Sequence, residues 1–364
     1  MIRHYSARDF DWVLLGITMA ITVLGLLEIY SATRNTPWQE AYVRQIVWIG
    51  LGLILLWVFS SIDYNILIHH APAFYAIAVA LLLVTMFFGQ VIGGARRWLP
   101  LPGGTTLQVS EFVKVVLVLL MARFFSDLHP ERVSGKNLLK IAGLFAVPMF
   151  LVARQPDLST ALSFSPILFM GVFVAGLRWK YVLVLVLAGA LILPLAWQFV
   201  VAPYQKERVI TFMDPERDPQ GSGYQPIQSK IAIGAGGIWG AGFERGSQTQ
   251  LRFLPTPHTD FIFSAYAEET GFVGVTLVLA LYFAMLIKIA GNAQTSADSA
   301  GMYICMGVGA LVLFHLLVNV GMVIGRLPVT GLPLPLMSYG GSNLLATFML
   351  LGLVNNVRLR RFTN

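Results

Sequence analysis

Long apolar stretches separated by short polar turns run along almost the whole chain. A helix crosses the hydrocarbon core of a bilayer with about 20 apolar residues, within a range of about 17–25. Ten stretches are read as candidate spans on that measure: Trp12–Tyr30, Ile46–Ile62, Ala71–Gly89, Val109–Phe125, Leu138–Val152, Leu158–Leu177, Tyr181–Val201, Gly271–Ile287, Met302–Ile324 and Ser338–Val354. The fourth carries Glu111 and Lys114, and the fifth is short and contains Pro148. They are read as separate spans because Ser126–Asn137 between them is polar, with Asp127, His129, Pro130, Glu131 and Arg132. The pattern predicts an all-α polytopic membrane protein with ten transmembrane helices in a single membrane domain, residues 1–364. One long polar segment, 202–269, lies between the seventh and eighth spans. It is too rich in Gly and Pro for one regular helix, and Ile231, Ile233, Trp239 and Phe243 suit a folded loop resting on the membrane surface. No internal repeat or low-complexity tract is visible.

Composition sharpens this picture. Hydrophobic residues make up 56% of the chain and charged residues 12%, with a mean hydropathy of +0.71. Soluble domains carry about 25% charge, so a soluble globular enzyme, a disordered chain and a nucleic-acid-binding domain are excluded. The net charge of +7 is better read as membrane-flanking Lys and Arg. With the N-terminus inside, the short inner loops hold twelve Lys and Arg, among them Arg123, Lys136, Lys140 and Arg358, against six in the short outer loops. Both termini are therefore expected in the cytoplasm, with segment 202–269 outside. That segment holds fourteen charged residues, a third of all in the chain. No cleavable signal peptide is evident, so the first span is expected to stay as an anchor. The lone Cys305 sits in an apolar run and reads as a small core residue.

Because charge is scarce, each ionisable residue is informative. Glu111 and Lys114 are three apart on one helix face and can pair, either as a structural ion pair or along a cavity. Glu28, His315 and Asn319 read as interhelical hydrogen-bonding groups. At the corner Arg154-Gln-Pro-Asp157, the carboxylate is a good N-cap for the next helix. It also faces the side of the long loop, which leaves a positioning or catalytic role open. In the stretch from Leu254 to Gly271, Thr259 or Asp260 could cap the following helix. Asp260 is flanked by Phe261, Ile262 and Phe263 and could equally serve as a general base. The run Gly234–Gly242 lacks the Lys and the preceding strand of a phosphate loop and reads as a tight turn. Arg208 and Lys230 are cations suited to phosphate oxygens. His69 and His70 read as a bland pair, and neither zinc-ligand spacing nor a nucleophile elbow is present.

Several blocks together resemble the SEDS (shape, elongation, division and sporulation) family. They are Gly94-Ala-Arg-Arg-Trp98, Gln108-Val-Ser-Glu111-Phe-Val-Lys114, Arg154-Gln-Pro-Asp157, Gly223-Tyr-Gln225 with Gln228-Ser-Lys230, His258-Thr-Asp260-Phe-Ile-Phe, Glu268-Glu-Thr-Gly271 and Pro335-Leu-Met-Ser338-Tyr-Gly-Gly-Ser342. They cover nearly the whole chain in order. The segments Gln250–Pro255 and Val329–Pro335 are closer to the elongation branch than to the division branch. Val109 stands where the family commonly has Pro, Ser159 where it has Gly, and Thr256–Pro257 lack a common charge; no ionisable residue relied on here is lost.

The resemblance implies a peptidoglycan glycosyltransferase of cell elongation in the bacterial cytoplasmic membrane. It would polymerise lipid II, an undecaprenyl-diphosphate-linked disaccharide-pentapeptide, at the outer face, beside a class B penicillin-binding protein and the elongation machinery. By the matching motif, Asp260 would be the base on the acceptor sugar hydroxyl. Arg97, Lys114, Arg208 and Lys230 would be candidate diphosphate partners, with Glu111 holding Lys114 and Asp157 near the cavity. His258, Thr259 and Ser338 would belong to the substrate site. Mg²⁺ or Mn²⁺ could share the diphosphate, without a dedicated cage and without an organic cofactor. A lipid II flippase and a non-catalytic scaffold for the penicillin-binding protein are the alternatives; the absence of an inverted repeat speaks against the first.

Overall fold

The computed structural model describes residues 9–34, 36–92, 94–100, 105–128, 134–176, 183, 198 and 203–362. The expected seventh span, Tyr181–Val201, falls almost entirely outside the described residues, as do the polar positions His129–Arg132 and the basic positions Arg3, Arg8, Arg178 and Lys180.

The described chain is mostly helical. Helices α1 (Trp12–Thr33), α2 (Ala41–Ser61), α3 (Tyr64–His69) and α4 (Ala71–Phe88) are followed by a small antiparallel sheet, β1 (Gln90–Ile92), β2 (Ala95–Pro100) and β3 (Thr106–Leu107). Then come α5 (Val109–Ser126), α6 (Gly135–Arg154), α7 (Leu158–Leu162) and α8 (Ser165–Val174). After segment 177–202 the chain forms α9 (Pro203–Met213), a 3₁₀ turn (Pro215–Arg217), α10 (Tyr224–Gly236), α11 (Ser247–Gln250), α12 (Ile262–Gln294), α13 (Ser299–Val323) and α14 (Gly341–Leu359). Six of these, α1, α2, α4, α6, α12 and α13, are long and apolar enough to cross a membrane. Their outward faces carry exposed apolar side chains such as Trp57, Phe88 and Phe283, as a lipid-facing surface requires.

Several hydroxyl groups inside these helices are satisfied locally. The hydroxyls of Thr18, Thr22, Ser60 and Thr85 each donate to the carbonyl four residues back, so an apolar helix can carry them without an unpaired group. At the helix ends remote from segment 202–269, the buried Asp11 carboxylate caps α1 through the Leu14 N–H at 3.1 Å. It also takes Asn292 at 3.0 Å and Arg358 at 3.1 Å, tying α1, α12 and α14 together.

Three sequence expectations change. The small sheet is an addition to the all-α picture; β1 and β2 pair across the turn at Gly94, and β3 pairs with β2. The sixth span is two short helices, with the chain turning at Ser163–Phe164. The eighth, expected from Gly271, is preceded across a break at Gly271 by a further helical segment that begins at Ile262 and buries Ile262 and Phe263.

Candidate functional site

The start of α12 is built around a broken helix. At Gly271 the backbone turns to φ 65°, ψ −164°, opening the two helical bonds that Phe272 and Val273 would make to Glu268 and Glu269. The glycine run of residues 237–242 closes all four groups. Phe272 and Val273 donate to the carbonyls of Gly237 and Ile238 at 2.9 and 3.2 Å, while Ala241 and Gly242 donate to those of Glu268 and Glu269 at 2.9 and 3.0 Å. A Cβ at Gly240 would lie 2.1 Å from the Glu269 carbonyl. The run is therefore a docking strand for a broken helix, in keeping with the tight-turn reading.

The two glutamates before the break face into the protein. Glu268 accepts from the N–H groups of Gln248 and Thr249 at 2.7 and 3.0 Å and from the Thr249 hydroxyl at 2.8 Å, anchoring α11. Glu269 accepts from the hydroxyl of Ser31 on α1 and from Gln250 at 3.4 Å.

Just ahead of α12 lies Asp260. The helix N-cap is Phe261, with no side-chain capping bond, so neither Thr259 nor the Asp260 carboxylate performs the capping that the sequence left open. The backbone around Asp260 is instead fixed from behind. Asn319 on α13 donates to the Asp260 carbonyl at 3.0 Å and to the Leu332 carbonyl at 2.9 Å. Ser338 accepts from the Leu334 N–H and donates to the Thr259 carbonyl, both at 2.8 Å. The Tyr339 N–H donates to the His258 carbonyl at 2.9 Å. His258 lies between the rings of Trp38 and Tyr339, and its burial lowers its pKa to about 4, so it is a neutral spacer at pH 7.

The front of Asp260 is charged. Its Oδ2 faces Gly331, where a Cβ would still sit 3.5 Å away. Burial raises its pKa; Arg97 and Arg208 oppose that rise, and Asp157 adds to it. Arg97, on β2, pairs with Asp157 at 2.9 Å. Asp157 caps α7 through Thr160 at 3.2 Å and accepts from Gln108 at 3.1 Å, so capping and charge pairing coexist. Arg208 donates to the Thr330 carbonyl at 3.4 Å, and Ser159 donates to the same carbonyl at 2.6 Å. Residues 330–331 thus join Arg208 to Asp260.

Glu111 and Lys114 stand apart from this cluster. Both are buried and make paired contacts of 2.9 Å. Asn343 donates to Glu111 at 2.7 Å, and Lys114 lies 3.2 Å from His315 Nε2. His315 Nδ1 is 3.1 Å from the Pro333 carbonyl, so it carries the proton there and Nε2 accepts from the ammonium. The pair therefore acts through α13 on segment 332–334, behind Asp260. Lys230 lies elsewhere, on a cavity of about 360 Å³ that it shares with Arg208. His315 and Asn319 are the contributors that the sequence undervalued; their only signal was polarity within an apolar helix.

Comparison with known proteins places the chain in a family. Residues 11–362 match the family of cell cycle proteins comprising FtsW, RodA and SpoVE. The chain is 39% identical to the peptidoglycan glycosyltransferase MrdB of Escherichia coli K12, covering 96% of this chain and 94% of that protein. It is 33% identical to the peptidoglycan glycosyltransferase RodA of Treponema pallidum, covering 99% of this chain and all of that protein. Among solved structures, a chain of a peptidoglycan synthase complex that coordinates polymerization and crosslinking superposes with a TM-score of 0.83 at 37% identity, over 98% of this chain and 99% of that one. The RodA crystal structure from Thermus thermophilus gives 0.73 at 30% identity, over 98% of each chain. With its apolar helices and an all but full-length match, the protein is a multi-pass membrane protein that belongs to the FtsW, RodA and SpoVE family.

Proposed function

We propose that the protein is a peptidoglycan glycosyltransferase of the elongation type, polymerising lipid II at the outer face of the bacterial cytoplasmic membrane. The observation that carries this reading is Asp260. Its carboxylate caps no helix, is raised in pKa by burial, and is ringed by Arg97, Arg208 and Asp157 in a chain 39% identical to a peptidoglycan glycosyltransferase. A carboxylate so raised is a better proton acceptor than an exposed one. It accepts the proton of the acceptor sugar 4-hydroxyl as that oxygen attacks the donor sugar. The cations around it stabilise charge on the departing diphosphate.

The topology that fits this reading has ten spans, both termini in the cytoplasm and segment 202–269 outside. The Lys and Arg asymmetry of the short loops supports it. A divalent cation, Mg²⁺ or Mn²⁺, would be held by the diphosphate and one carboxylate. Among the described residues no group of three or more His, Cys, Asp or Glu side chains is arranged for a metal. A class B penicillin-binding protein is the expected partner, supported by the likeness to a chain of a synthase complex that joins polymerization to crosslinking.

The test is lipid II polymerisation by the purified protein with its penicillin-binding partner. Asp260→Ala should abolish polymer while leaving the thermal unfolding profile and the partner complex intact. Full activity of that variant would remove Asp260 as the base.

A further inference from the structure

Three aromatic rings stand in a row beside the Asp260 segment. His258, two residues before the carboxylate, has the Trp38 indole on one side at 5.5 Å between ring centroids and the Tyr339 phenol on the other at 5.8 Å. The three come from the turn between α1 and α2, the approach to α12 and the approach to α14. His258 is buried, whereas Trp38 is 51% exposed. A Cβ at Gly340, next to Tyr339, would meet nothing within 4 Å, so the row borders open space.

The row is held in place by its backbone. The Thr36 hydroxyl donates to the Thr33 carbonyl at the end of α1 at 2.7 Å and accepts from the Trp38 N–H at 3.1 Å. The Trp38 carbonyl accepts from the Ala41 N–H at 2.8 Å, where α2 begins. An ion pair between Arg34 and Glu244 ties the same turn to segment 202–269. Gln45 on α2 donates to the Ser338 carbonyl at 3.4 Å, beside the bond from the Tyr339 N–H to His258. An exposed tryptophan in a membrane protein is ordinarily a lipid-facing belt residue. Trp38 differs because its ring packs on a neutral imidazole from which no more than about 7 Å of chain leads to Asp260.

We propose that Trp38, backed by His258 and Tyr339, is a sugar-stacking shelf on which a pyranose ring of the acceptor lies while its hydroxyl reaches Asp260. The axial C–H groups of a β-linked pyranose form an apolar, electropositive face, and the electron-rich face of an aromatic ring attracts it. The shelf is uncharged, so it recognises carbohydrate and leaves the diphosphate to the cations. Its rigid backing lowers the ordering cost of binding a flexible glycan. The assignment rests on the glycosyltransferase reading and adds to it the residues that hold the acceptor sugar.

Two measurements on the full-length protein in lipid nanodiscs test this: initial rates of lipid II polymerisation with the penicillin-binding partner, and binding of a soluble β-1,4-linked N-acetylglucosamine tetrasaccharide by saturation-transfer NMR. Trp38→Leu keeps an apolar side chain that lipid accepts and removes the ring. It should raise KM about tenfold with kcat within about twofold, and weaken tetrasaccharide binding about tenfold. Trp38→Phe should recover most of both, and both variants should unfold as the wild type does. In the wild type, saturation from aromatic protons should reach the axial protons of one sugar face; transfer confined to the N-acetyl methyl groups would overturn the proposal. So would wild-type KM and binding in Trp38→Leu, which would mark Trp38 as a belt residue, or equal losses in Trp38→Leu and Trp38→Phe. The two readings fail separately: ring-dependent glycan binding without polymer sinks the activity, and polymer with ring-independent binding sinks the shelf.

Discussion

The side-chain amide of Asn319 bridges two backbone carbonyls, those of Asp260 at 3.0 Å and Leu332 at 2.9 Å. It therefore sets the distance between the segment that carries the carboxylate and the segment that faces it. Asn319→Leu removes both bonds and leaves two carbonyls unpaired, a loss of about 1–3 kcal/mol for each buried group. Polymerisation should fall at least tenfold through kcat, with a smaller change in KM, and Asn319→Gln should restore part of it. An unchanged kcat in Asn319→Leu would show that Asp260 is positioned by other means.

The acid limb of the pH–rate profile should report Asp260. As a base it acts only when ionised, so activity rises with pH through its raised pKa. Arg97 opposes that rise, so removing it should push the pKa further up. Arg97→Gln is accordingly expected to move the acid limb to higher pH, whereas Ser159→Ala, which leaves the charge unchanged, should not. A limb that stays in place in Arg97→Gln would exclude Asp260 as the titrating group.

The buried pair Glu111 and Lys114 should reveal itself through thermal stability in detergent. Breaking a buried pair by removing one partner costs about 3–5 kcal/mol, because the other charge is left uncompensated. Glu111→Gln and Lys114→Met should each lower the unfolding midpoint strongly, and the double variant should be less destabilised than their sum. Strict additivity would deny the coupling that the 2.9 Å contacts imply.

The docking of the glycine run on the broken helix predicts a steric result. Gly240→Ala places a Cβ 2.1 Å from the Glu269 carbonyl, and at φ 82° alanine is strained as well. Overpacking of this kind costs about 1–3 kcal/mol before strain is added. The variant should express poorly and expose segment 237–242 to limited proteolysis. Gly143→Ala, where a Cβ meets nothing within 4 Å, should behave as the wild type does.

The six long apolar helices were legible because each is a local fact: about 20 apolar residues in succession force a helix in lipid, whatever its neighbours do. Asp260 was legible as a candidate because an acid between prolines and aromatic residues is costly and rare. Its freedom from capping was not, since Thr259 and Asp260 are both good capping residues and only the position of Phe261 decided the matter. Arg97 and Asp157 lie 60 residues apart, and no periodicity joins a short strand to a helix cap. Nor does any spacing join Lys114 to His315 or Glu111 to Asn343, which close around the buried pair.

The sequence alone determined that the chain lives in a membrane, that a third of its charge gathers in one segment and which few acids and bases are candidates for its chemistry. Tertiary structure decided which of those charges meet. In a bilayer, hydropathy is set residue by residue, but pairing and positioning depend on which helix ends converge. Around Asp260 they converge through Asn319, Ser338 and the Arg97–Asp157 pair, which join chain segments far apart in sequence.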